Sequence, residues 1–154
     1  MHHNKGKSLH KSLEARIKYV LNPAKTDGGK YVATFQCAAE TADAEWALAH
    51  RQYGDRTHRK SEKGVIAYQV RQSFAPGEVT PEEANQIGVE FGHRFLKDKY
   101  SFVVTTHVDC DHIHNHILYQ RHHAIFVRIG HANVQTHKFR KSILSRRIIF
   151  AKDL

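Results

Sequence analysis

The stretch Phe102-Val-Val-Thr-Thr-His107-Val-Asp-Cys-Asp-His112-Ile-His114-Asn-His116-Ile-Leu-Tyr119 decides how the chain is to be read. Two runs rich in β-branched and aromatic residues flank the short Asp109-Cys110-Asp111 turn, which predicts a hairpin of strands over about 102–108 and 112–119. Residues two apart on a strand share a face. His107 and Asp109 therefore project together from the first strand, and His112, His114 and His116 from the second. Phe102, Val104, Val108, Ile113 and Ile117 take the opposite side, so the hairpin is predicted to have an oily face and an imidazole face. Neutral imidazoles suit Zn, Mn, Fe, Ni or Cu, and three converging from paired strands leave coordination positions open for substrate oxygens. Asp109 or Asp111 is placed to accept the second ring N–H of a ligand histidine and so fix its tautomer.

Working outward, residues 8–21 read as a helix with Ser8 as its cap and Leu9, Leu13, Ile17, Val20 and Leu21 as one apolar stripe, stopped by Asn22-Pro23. Tyr31 to Cys37 reads as a short strand. Thr41 opens a second helix running to about Tyr53, with Ala44, Leu48 and Trp46 inside, and the polar segment 54–63 reads as a surface loop. Val65 to Phe74 alternates, with Ile66, Tyr68, Val70 and Phe74 on one face and Gln69, Arg71 and Ser73 on a wet face. Thr80-Pro81-Glu82-Glu83 is a capping box with proline at the first helical position, and the helix after it turns Ala84, Ile87, Phe91 and Phe95 inward. Helices alternating with short strands and ending in a hairpin predict an α+β sandwich, a largely antiparallel sheet with helices on one face.

At 154 residues the chain is read as a single domain, 1–154. No apolar run approaches the roughly 20 residues of a membrane helix, and the basic N-terminus has no apolar core of a secretory signal behind it, so a cytosolic protein without membrane insertion is expected. Cys37 and Cys110 lack any CxxC spacing and are read as free thiols. The formal charge of +9 favours a polyanionic partner, nucleic acid first, because neutralising phosphates releases their counterions. Fourteen histidines are present, six of them from His107 to His123, a concentration that asks for a chemical role.

A metal over a positive surface suggests phosphodiester chemistry and directs attention to a nucleophile. Tyr19 is the candidate, since on a helical wheel it falls off the apolar stripe and beside Arg16 and Lys18. Ser73, next to Arg71, is placed to bind a phosphate or a sugar hydroxyl.

These residues fall in an order that resembles the mobilisation-type relaxases of conjugative plasmids and transposons, members of the HUH endonuclease superfamily. Arg16-Ile-Lys-Tyr19-Val resembles their first motif, Tyr68-Gln-Val-Arg-Gln-Ser73-Phe-Ala-Pro-Gly-Glu78 their second, and His107, His114 and His116 meet the three-histidine signature of the third. The likeness covers about residues 7–120. It implies a palm-like, ferredoxin-like sandwich and a divalent metal, Mg or Mn, on His107, His114 and His116. It further implies Tyr19 as nucleophile, His112 or an aspartate of the turn, Asp109 or Asp111, as proton acceptor, and Ser73 holding the DNA end. Basic residues with Tyr31, Phe35 and Tyr53 would track the backbone and stack bases. The partners implied are single-stranded DNA at an origin of transfer, accessory mobilisation proteins and a coupling protein.

Three features depart from that pattern. Few residues precede Ser8, which predicts a sheet short of its first strand; Gln120 stands where asparagine is usual; and the likeness fades after Arg121 into a basic tail with a trace at His137-Lys-Phe-Arg140. Rival readings from the sequence are a non-catalytic DNA-binding remnant, a histidine-rich metal-binding protein and an HUH replication initiator.

Overall fold

The computed structural model describes residues 9–58, 65–122 and 148–151; the proposed Ser8 cap, the His137-Lys-Phe-Arg140 trace and most of the basic tail lie outside them. Helix α1 (Leu9–Val20) buries Leu13, Ile17 and Val20 and stops where Asn22-Pro23 follows, the Asn22 side chain accepting from the Ala24 amide at 3.0 Å. Strand β1 (Val32–Phe35), a 3-10 turn (Ala39–Thr41), helix α2 (Ala42–Thr57), strand β2 (Ala67–Ser73), helix α3 (Pro81–Leu96), and strands β3 (Phe102–His107), β4 (His114–Gln120) and β5 (Ile148–Ala151) follow in order.

The five strands lie in the order β1-β3-β4-β2-β5, and every neighbouring pair is antiparallel. The predicted hairpin is the β3–β4 pair at the middle of the sheet. Its connection runs from Val108 to Ile113, longer than the three-residue turn expected, so Asp109 and His112 stand outside the ladder. A tail segment supplies the edge strand β5 on β2, with Gln69 opposite Ala151 and Gln72 opposite Ile148.

The α+β class and the antiparallel sheet are as expected, but the helices do not share one face. Helices α1 and α2 cover one side through Leu13, Ile17, Val20, Ala42 and Trp46 against Ile66, Ala67, Val103 and Leu118. Helix α3 covers the other, where Phe91 and Leu96 meet Val70, Phe102, Val104 and Ile117. The cause lies in the central strands, which are apolar on both faces where Val103 alternates with Val104 and Ile117 with Leu118, and a strand apolar on both faces has to be covered twice. Each such buried aliphatic side chain contributes about 1.5–3 kcal/mol.

Two helix faces also differ from their expected ones. In α2 the buried residues are Ala42, Trp46 and Ala49, whereas Ala44 and Leu48 face solvent and the helix continues through residues expected in a loop. Trp46 sets the rotation, because its indole Nε1 donates to Ser101 Oγ at 2.7 Å from a fully buried position. In α3, with the capping box of Thr80 and Glu83 as expected, Gly88 and Gly92 turn inward in place of Phe95, which is exposed. A Cβ on Gly88 would lie 2.7 Å from Asn115 Nδ2 and from Val104 Cγ1, and one on Gly92 2.8 Å from the Phe102 ring. The helix thus lies closer to the sheet than any larger residue permits.

That close approach supports a buried polar network. Asn115 Nδ2 donates to Gln72 Oε1 at 2.9 Å and to the Ala84 carbonyl at 2.6 Å, its Oδ1 accepts from Thr106 Oγ1 at 2.7 Å, and Asn85 donates to Thr106 at 3.1 Å. Gly88→Ala is therefore expected to destabilise the fold by about 1–3 kcal/mol through overpacking against Asn115 and Val104. Urea unfolding checks it: the midpoint should fall at constant slope, and an unmoved midpoint would show that α3 can retreat from the sheet.

Candidate active site

The register of the central strands builds the site. His107 pairs with His114, which pairs with Ser73 on β2; one step along, Thr105 pairs with His116, which pairs with Arg71. Directly opposed residues share a face, so three imidazoles, Ser73 and Arg71 line the side covered by α1. The expected wet face of β2 is this covered side, with Gln69 only 5% exposed.

His107, His114 and His116 are all buried, and one nitrogen from each lies within 4.8 Å of the others. Their second nitrogens are held from outside the cluster. His107 Nε2 donates to the Val20 carbonyl at 3.0 Å, and His114 Nδ1 points at the His112 carbonyl at 3.4 Å. The Gln69 amide sits 2.6 Å from His116 Nδ1; turned so that its oxygen accepts from that N–H, it leaves the lone pair on Nε2. Two backbone carbonyls and a glutamine thus fill the role that the sequence assigned to Asp109 or Asp111. Asp109 instead forms an ion pair with Lys25.

Among the described residues His107 Nδ1 and His116 Nε2 have no hydrogen-bond partner. A buried unpaired nitrogen costs about 1–3 kcal/mol, so two of them in one cluster, with their rings oriented from behind, fit a metal ion between them and His114. Burial is also the main reason the rings resist protonation. It lowers His107 below the usual histidine range despite the opposing hydrogen bond to Val20. His114 is lowered to about 4 and His116 to about 3, with the neighbouring imidazoles and Arg71 adding to the effect.

Tyr19 stands above this cluster. Its ring meets His107 at 5.6 Å and His116 at 5.9 Å, both edge-on, yet remains 44% exposed, so the phenol borders both the imidazoles and solvent. Arg16 Cζ and Lys25 Nζ lie 5.8 and 5.4 Å from the ring centroid. Lys25 reaches there because its loop is tied to the end of β3, the Val108 amide donating to the Lys25 carbonyl at 2.8 Å. Its bond to Asp109 raises the ammonium and lowers the carboxylate.

The structure thus brings together His107, His114, His116 and Tyr19, with Ser73 in register beside His114. His112 is exposed on the connecting loop, its ring 5.7 Å from that of His114, and the ring contacts of Tyr19 are with His107 and His116 instead. Tyr31 and Phe35 are not surface platforms: Tyr31 is buried with its hydroxyl on Glu82, and Phe35 stacks on Phe102. Tyr53 is exposed but stacked on His122. Sequence reasoning missed Gln69 and Lys25. Gln69 was legible as a same-face neighbour of Arg71, whereas nothing in the sequence links Lys25 to a residue 84 positions away.

A wholly antiparallel sheet whose central strands present a His-x6-His-x-His cluster, with a tyrosine on the helix above it, is the arrangement of an HUH-type nuclease domain. Residues 19–148 match the family model described as Relaxase: MobA/VirD2-like, nuclease domain, and the chain belongs to that family. It is similar to two Staphylococcus aureus proteins named Protein rlx, 35% and 37% identical over 108 residues, 70% of this chain and 30% of each relative. It is also similar to the group II intron-interrupted relaxase LtrB of Lactococcus lactis subsp. cremoris, 43% identical over 56 residues, 36% of this chain and 10% of that protein. The chain spans about 30% of the length of the Rlx proteins. No solved structure matches it significantly. Among the described residues no helix is long and apolar enough to cross a membrane.

The lowered imidazoles make stability depend on pH in a definite direction. In the unfolded chain each histidine takes up a proton as pH falls through about 6.5, while the folded His114 and His116 stay neutral until about pH 4 and 3. The metal-free protein should therefore keep full stability above about pH 6.5 and lose it as pH falls, by up to about 1.4 kcal/mol per pH unit for each proton taken up on unfolding. Urea midpoints from pH 7 to 5 measure this, and a flat profile would mean the rings already share protons in the folded state.

Proposed function

We propose that this domain carries out strand-specific nicking of single-stranded DNA at an origin of transfer, with Tyr19 as the attacking residue, and rejoins it. The observation that carries the reading is the position of Tyr19, half-exposed over two imidazoles whose remaining nitrogens, His107 Nδ1 and His116 Nε2, have no hydrogen-bond partner among the described residues.

In the forward step the Tyr19 phenol oxygen attacks the scissile phosphorus. The bond from phosphorus to the 3′ oxygen breaks, that oxygen leaves as a 3′ hydroxyl with a proton, and the 5′ side remains as a phosphotyrosyl ester. Attack by a 3′ hydroxyl reverses the exchange without an external energy source, because one phosphodiester replaces another. A free tyrosine has a pKa near 10, so attack at neutral pH needs positive charge or a base nearby. Arg16 and Lys25 beside the ring supply charge from this chain. His112, on the exposed loop, is the proposed proton acceptor; Asp109, paired with Lys25, serves as a positioning residue that keeps the ammonium over the tyrosine. Ser73, in register with His114, and Arg71 would hold phosphate oxygens of the DNA end.

His107 Nδ1, His114 Nε2 and His116 Nε2 would hold a divalent ion, Mg or Mn in this reading, which when bound polarises phosphate oxygens and stabilises charge developing on them. Because the chain spans only part of its relatives, any accessory mobilisation proteins and coupling protein belong to the same proposal.

The direct test is incubation with single-stranded oligonucleotides from the element's own transfer region and Mn²⁺, read on a denaturing gel as a covalent adduct. Tyr19→Phe should abolish the adduct while leaving fold, metal content and DNA affinity nearly unchanged. His112→Ala should slow adduct formation by about 10²- to 10⁴-fold. An adduct formed equally well by Tyr19→Phe would move the nucleophile elsewhere, and DNA binding without any adduct would favour a non-catalytic remnant. With a formal charge of +9, single-stranded DNA affinity should fall steeply with salt, each phosphate contact adding roughly 0.7 to the log–log slope. Filter binding across a salt series measures it, and a flat response would argue against DNA as the ligand.

A further inference from the structure

A second pair of imidazoles lies at the other end of β4, about 20 Å along the strand from His114 at roughly 3.3 Å per residue. His50 sits one turn after Trp46 on α2, and His122 follows the end of β4 and is nine-tenths buried. Their ring centroids are 5.0 Å apart, within the spacing of the triad, where the three pairs stand at 4.6, 5.1 and 5.1 Å. His50 Nδ1 and His122 Nε2 are both buried, and among the described residues neither has a hydrogen-bond partner. Tyr53 stacks on the His122 ring at 4.0 Å and closes one side of the pair.

Two unpaired buried nitrogens in one cluster, each unfavourable to leave unmet, call for a shared ligand. An ion about 2.0–2.1 Å from two imidazole nitrogens in tetrahedral geometry sets their ring centroids on the order of 5 Å apart. Burial, with Arg121 nearby, holds both rings below the usual histidine range, so both are neutral donors at pH 7. Two imidazole nitrogens without a substrate phosphate to add oxygen ligands favour Zn, Ni or Cu over the oxygen-preferring Mg and Mn, which the triad would hold together with phosphate oxygens of the DNA.

We propose that His50 Nδ1 and His122 Nε2 form a second site, separate from the triad, for a nitrogen-preferring divalent transition ion. Bound there, the ion ties α2 to the end of β4, and water completes its coordination.

Trp46 is the only tryptophan and lies one helical turn before His50, so its fluorescence reports on the pair. Titrating the full chain with Ni²⁺ should quench it, the quenching should persist when His107, His114 and His116 are all alanine, and His50→Phe or His122→Phe should weaken it at least tenfold. Mn²⁺ at the same concentrations should leave it unchanged. Ring ¹⁵N spectra of the unmutated protein provide a measurement free of folding effects: with Zn²⁺, the His50 Nδ1 and His122 Nε2 signals should move to positions of ligated nitrogen. Quenching unaffected by His50→Phe and His122→Phe, or ring signals unmoved at saturating Zn²⁺, would overturn the proposal.

Discussion

The antiparallel register that sets His107 opposite His114, and Thr105 opposite His116, is the constraint on which the site depends. It forces three imidazoles into one buried patch, where each ring loses water and must find support for its second nitrogen. The Val20 carbonyl, the His112 carbonyl and the Gln69 amide provide that support from three different elements. A slip of one residue would turn each histidine of the slipped strand to the other side of the sheet and dissolve the cluster. The ladder and the supporting bonds therefore act together.

The face away from the histidines keeps that register firm. Asn115, between two of the histidines on β4, is satisfied by Gln72, Thr106 and the Ala84 carbonyl of α3, and Gly88 and Gly92 let the helix come near enough to make those bonds. A fully paired network of this kind fixes the strands laterally, whereas an apolar contact alone would tolerate sliding. The polar interior on one side and the imidazole cluster on the other are two faces of the same strand.

Charge around the site is arranged locally. Lys25 is anchored by backbone to the end of β3 and by its side chain to Asp109, which holds an ammonium over Tyr19. The pair is partly open to water, so it contributes little to stability on its own. Its consequence is positional: it ties the loop after α1 to the loop before β4, the two segments that border the tyrosine and the histidines.

The hairpin, the three-histidine face, the capping box at Thr80 and the exposure of Tyr19 were legible in the sequence, because each follows from local periodicity or from residues a few positions apart. The family resemblance rested on the same local patterns. What the sequence left open depended on distant partners. Helices on both faces follow from which side of the continuous apolar run at Phe102 each helix reaches, and the inward turn of Trp46 and Gly92 follows from contacts with Ser101 and Phe102. The loop between the histidine strands freed Asp109 to meet Lys25 and left His112 at the surface. Strand alternation can assign a residue to a face, but only the packed structure decides which carbonyl, amide or ammonium comes to meet it there, since those partners are brought close by the fold as a whole.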